Sequence, residues 1–205
     1  MRVDWRERYE RAAARYAAGE MRELDERQLV QLANAAWAAG LSLLMAGDRE
    51  QAAEWLRRSA ARYREGWDAG TGADAWGRPI GAMKALLLAG DDARETADWT
   101  LGTCLGARHL DVSVSPIARY TGVLALLVLD RDAEAADVAA TLDEGFPGDV
   151  ARALSALAAH DADAYRDAVD SVRRSFEERD AFLEDVPVPD TPLVLDALAA
   201  RRGLA

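Results

Sequence analysis

Two histidines, one cysteine and several paired aspartates are the side chains with which this chain of 205 residues could do chemistry. His109 and His160 lie far apart, and neither belongs to a His-x-x-x-His pair, the helical spacing that brings two imidazoles to one metal ion. Cys104 is the single cysteine, which excludes an internal disulfide and a thiolate cluster. Within the apolar run Leu101–Leu105 it reads as a small buried hydrophobe rather than a thiolate paired with His109. Ser113 and Ser115 lack a nucleophile-elbow context. Gly70-Thr71-Gly72 lacks the lysine that completes a phosphate-binding loop. Gly77-Arg78-Pro79 leads a helix whose N-terminus could hold an anion, but a structural role fits it better. The aspartates at Asp91–Asp92, Asp130/Asp132 and Asp161/Asp163 recur where helices begin, so N-capping accounts for them more simply than cation binding. None sits in the twelve-residue calcium-loop pattern. This reading assigns no catalytic residue, metal or cofactor.

Binding chemistry has one better candidate. Residues 66–79 hold four glycines and a proline, an irregular connection longer than a usual helix–helix link. The connection also carries Trp67, Trp76 and Arg78, residue types enriched in binding patches. Lys84, Arg119 and Tyr120, on helices expected to border a groove, complete a candidate contact set. The rival reading is that both tryptophans fold back as lids on the core.

The elements that must position these residues are helices. Leu32, Ala36, Gly40 and Leu43–Leu44 recur every three to four residues, turn at Gly47-Asp48, and are answered by Ala52, Trp55–Leu56, Ala60 and Tyr63. That hairpin, near 29–64, is preceded by a helix over 4–18 with Asp4 as N-cap and Gly19 as stop. Weaker copies are expected near 80–105, 117–144 and 149–183. Asp48 with Gln51, and Asp92 with Glu95, have capping-box spacing. The last of these helices is expected to run towards Leu183. Val186-Pro187-Val188-Pro189 must be extended, because each residue before a proline avoids the helical region. Asp190-Thr191-Pro192 then starts a short capping helix, 192–202. The expected architecture is all-α: antiparallel helical hairpins stacked in one array over 1–205, closed by that C-terminal helix.

Composition agrees with this. Half the residues are hydrophobic, Ala above all, and Ala favours helices that pack closely. Asp and Glu number 36 against 25 Lys and Arg, and the formal charge of −11 argues against a nucleic-acid ligand. Lys84 is the only lysine; adaptation to high salt and a GC-rich codon supply explain that bias equally well. The charged N-terminus does not resemble a signal peptide. The longest apolar run, Val123–Leu129, is short for a membrane span. A cytoplasmic location follows as an expectation, with no membrane partner.

The first hairpin resembles the tetratricopeptide repeat, with Gly40, Leu43, Gly47, Ala52 and Leu56 at the matching spacings; Val123, Leu126, Ala135 and Ala139 fit more loosely in the third. The proline that often ends this repeat is missing after Tyr63. Arg179-Asp180-Ala181-Phe182-Leu183-Glu184-Asp185-Val186-Pro187, with Asp190-Thr191 and the helix to Arg201-Arg202-Gly203, resembles the C-terminus of the immunity 49 family. Those are small helical proteins associated with toxin systems and thought to neutralise a partner toxin by binding it. The resemblances imply a non-catalytic scaffold for a protein or peptide, with a groove along the first helices of each hairpin; the narrower form is an immunity-like inhibitor. A homodimer is compatible with the same surfaces. The contrasting class is a small hydrolase-type enzyme whose carboxylates are indistinguishable from helix caps.

Overall fold

A computed structural model describes residues 3–21, 24–70, 75–111, 115–142 and 145–204. The fold is all-α, with ten α-helices and no strand among the described residues. Ser113, the alternating Val112 and Val114, and Thr71-Gly72 lie outside the described residues. The chain divides into two compact units, one of residues 1–91 with 180–190, the other of 92–179 with 191–205.

In the first unit, α1 (Trp5–Glu20), α2 (Glu26–Ala46), α3 (Arg49–Ala69) and α4 (Gly77–Ala89) pack in sequence. Asp4 caps α1 as expected, and the helix carries on through Gly19 to Glu20. A reciprocal capping box starts α2 at Asp25 and Gln28, ahead of the expected start at Leu29. Asp48 caps α3, its side chain accepting from the Gln51 amide at 3.3 Å. Gly47, in the left-handed region at φ 87°, closes α2. Helix α2 is long and apolar enough to cross a membrane, with a mean hydropathy of 1.5 over 18 residues, but 67% of that window is buried inside the fold. Trp55 of α3 is wedged edge-on between Tyr9 and Tyr16 of α1, with the Arg58 guanidinium 4.7 Å above its ring.

Close approach is built into this unit. A Cβ at Gly40 would lie 2.7 Å from Leu56 Cγ and 3.3 Å from the Ala52 carbonyl oxygen. Gly66 does the same for α3, where a Cβ would stand 3.3 Å from Val30. The glycine read in sequence as the start of an irregular connection is therefore a helical packing position. Helix α3 continues to Ala69, and the connection shrinks to residues 70–76.

The second unit holds α5 (Arg94–Trp99) with a π turn over Thr100–Leu105, α6 (Pro116–Val128), α7 (Asp132–Ala139), α8 (Gly148–Ala158), α9 (Ala162–Glu177) and most of α10 (Asp190–Arg201). Helix α6 is its axis, buried from Ala118 to Val128. The hairpin expected over 80–105 is divided: α4 belongs to the first unit, whereas α5 starts from a left-handed Ala93 and packs on α6. The Asp92–Glu95 capping box does not form; Asp92 instead accepts from the Arg94 amide. Asp161 caps α9, which ends at Glu177 rather than running to Leu183.

If close packing at Gly40 governs the first hairpin, Gly40→Ala destabilises by about 1 kcal/mol, overpacking outweighing the gain in helix propensity. Gly77→Ala, where an added Cβ meets nothing within 4 Å, stabilises by about 0.5 kcal/mol. Chemical denaturation of both variants measures the difference; a stabilised Gly40→Ala would contradict the packing account.

Candidate functional site

Two concave surfaces stand out, one in each unit. In the second unit, the end of α7 and the outer faces of α8 and α9 form an open groove of about 880 Å³. Ten of its fifteen lining residues are Ala, Gly or Ser, Ala139, Ala151, Ser155, Ala164 and Ala168 among them. Helices α8 and α9 are antiparallel, their ends tied by Ser175 and Asp149 at 2.6 Å, so Arg174 lies beside the N-terminal half of α8, where Arg152 stands. Arg152 and Arg174 have no ion-pair partner among the described residues. Asp161, engaged as the α9 cap, lies towards the other end, and Asp167 lies between.

In the first unit, the surface over α1, α2 and α4 is occupied by the chain's own residues 183–190. Val186 and Val188 are buried there at 6% and 2% exposure. Arg8 of α1 donates to the Asp185 carbonyl, Arg15 pairs with Glu184 at 2.8 Å, and Lys84 of α4 pairs with Asp190 at 2.8 Å. Burial raises the pKa of the Tyr63 phenol, and the carboxylates of Glu184 and Asp190 push it the same way. Past Glu184 the cleft between α1 and α2 stays open, about 410 Å³ lined by Arg15, Gln28, Gln31, Leu32 and Ala35.

The structure distributes the sequence-predicted contact residues between the two units. Trp76 is buried at 4% exposure with its ring 6.0 Å from that of half-buried Trp67. Arg78 turns back onto the Gly66 carbonyl at 2.8 Å and onto Glu26. A Cβ at Gly70 would collide with that pair, 2.5 Å from the guanidinium. Gly70, Trp76 and Arg78 thus pack back onto α2 and α3. Lys84 pairs with Asp190, so the surface it borders is filled by the chain itself. Arg119 and Tyr120 face inward in α6: Arg119, 2% exposed, donates to the Thr141 carbonyl, and Tyr120 stacks on Phe146 at 5.1 Å. Sequence reading missed Arg8, Arg15, Arg152 and Arg174. Only the face of α1 that repeats Arg8, Ala12 and Arg15 carried a periodic signal.

The aspartate pairs divide by role. Asp48 and Asp161 are caps, but Asp91 pairs with Arg57 at 2.8 Å, and Asp130 with Arg94 at 2.5 Å. Asp132 takes the nearly buried Arg202 and, at 2.7 Å, His160. Helix α7 accordingly starts without a side-chain cap. The Arg57 guanidinium holds the Asp91 carboxyl below its ordinary pKa. Among the described residues, no three His, Cys, Asp or Glu side chains gather at metal-binding geometry. His109 is buried against Gly122, its Nδ1 without a hydrogen-bond partner among the described residues. Burial lowers its pKa and Arg131 adds to that, while the Gly106 carbonyl and Glu134 oppose it. No family model, curated protein or solved structure matches the chain.

Two outcomes follow. Trp76→Ala costs about 3–5 kcal/mol of stability, as a buried aromatic does, and Trp67→Ala costs less; thermal or urea unfolding reads both. His109 is more easily protonated unfolded than folded, so its contribution to stability is intact above pH 6.5 and is lost as pH falls below that value, because the unfolded state binds the proton first. His109→Gln flattens this part of the pH–stability profile; an unchanged profile would show that His109 is not its source.

Proposed function

We propose that the protein is a non-catalytic binding module that takes a helical, acidic segment of a partner protein in the α7–α8–α9 groove. The observation that carries this reading is the groove itself. A volume of about 880 Å³ accommodates about two turns of α-helix. Its small side chains let a partner backbone approach closely, as helix-in-groove recognition requires. Arg152 and Arg174 supply two uncommitted positive charges at one end, in a chain whose net charge is −11. Carboxylates engaged as caps and as arginine partners favour binding over the hydrolase-type alternative. The immunity-like form, in which the partner is a toxin, rests on the resemblance of residues 179–203 to the immunity 49 family; a cytoplasmic setting belongs to the same reading.

Quantitative co-purification from the native lysate tests it with wild type, Ser155→Trp, which fills the groove floor, and the double variant R152E/R174E. One protein recovered with wild type and at least tenfold depleted with both variants, at unchanged melting temperatures, is the expected result. Equal recovery with all three would place the interaction elsewhere.

A further inference from the structure

The segment 183–190 is held on the first unit as a ligand is held rather than as a packed element. Its backbone amides bond locally: Val186 N–H to the Leu183 carbonyl, Val188 N–H to that of Val186, Asp190 N–H to that of Val188. What ties it to α1, α2 and α4 is side-chain chemistry. The Glu184 and Asp190 carboxylates pair with Arg15 and Lys84, the Asp185 backbone carbonyl accepts from Arg8, and two valines separated by one residue are buried between them. Pro187 and Pro189 keep the segment extended, which lowers the entropy lost when it docks. Glu184 and Asp185 are both left-handed at φ 57°, a conformation that costs non-glycine residues energy and persists only where surrounding contacts enforce it. The fit is also incomplete. Leu183 is 56% exposed while the adjoining cavity of about 410 Å³ stays unfilled.

We propose that residues 183–190 are an intramolecular ligand occupying a peptide groove, and that this groove accepts in trans an extended acidic segment of a partner protein with the same pattern. That pattern is a carboxylate, then two β-branched residues two and four positions on, then a second carboxylate two positions after the last of them. A tethered ligand acts at high effective concentration, so it masks the site until it is weakened or outcompeted. An incoming segment that also fills the open cleft gains apolar contact the resident one lacks. The groove belongs to the first unit, and its test is independent of the α7–α8–α9 groove.

The probe is a fluorescein-labelled peptide of residues 182–191, titrated by anisotropy into the full chain. Wild type binds it weakly, because the resident segment competes. V186D/V188D, which loosens the resident segment and leaves the groove intact, binds it at least tenfold more tightly. Adding R15E/K84E to that variant abolishes binding, whereas R152E/R174E leaves it unchanged. If V186D/V188D does not retain the wild-type circular dichroism spectrum and a cooperative melt, Val188→Ala replaces it, with a gain of at least threefold expected. A folded loosened variant that binds no tighter than wild type overturns the proposal, as does binding that survives R15E/K84E.

Discussion

Close approach between helices, made possible by alanine and glycine, is the constraint on which the structure depends. Gly40 lets Leu56 sit where a Cβ would be, Gly66 brings α3 against Val30, and in the second unit Gly122 makes room for His109. With backbones this near, the core is filled by many small contacts between Ala, Leu and a few anchored aromatics rather than by large side chains. The same closeness leaves little side-chain volume on outward faces. That is how a shallow alanine-lined groove arises between α7, α8 and α9 instead of a deep polar pocket.

Charge is arranged around that frame. An acid excess of this size repels itself, and the fold meets it by spending arginines on helix junctions. Arg62 reaches Tyr16, Glu20 and Glu65, joining α1 to α3. Arg202 bonds the Leu127 carbonyl and Asp132, closing α10 onto α6 and α7. The cations turned towards grooves are Arg152 and Arg174 at one surface and, at the other, Arg15 and Lys84, engaged by the chain's own carboxylates, with Arg8, engaged by the Asp185 carbonyl.

Much of the secondary structure was legible from the sequence because helix ends announce themselves locally. Asp4 and Asp48 cap where their spacing indicates, the Asp161/Asp163 pair supplies its cap from Asp161, and the Val-Pro-Val-Pro run is extended. Misreadings came where tertiary contact overrode a local signal. Gly66 looks like a break but is a packing glycine, and Asp132 looks like a cap but answers Arg202. The division between α4 and α5 has no local mark, since the turn at Gly90 looks like that at Gly47. The candidate site was less legible still. Trp76, Arg119 and Tyr120 have the composition of a contact patch, yet they are buried. The arginines that face grooves look in sequence like any solvated helix face; what distinguishes them is the surface their helices create together.

The central claim is that the first unit comprises a groove and a tethered occupant, two parts that separate without unfolding. Native-state hydrogen exchange on the wild-type protein tests it directly, by comparing the amides of Val186, Val188 and Asp190 with those of Leu41 and Leu43 in α2. Exchange of the first three through a small local opening, insensitive to dilute denaturant, while the α2 amides exchange only with global unfolding, is the predicted result. Equal protection in both sets, falling together with denaturant, would make the segment an integral part of the core and contradict the account.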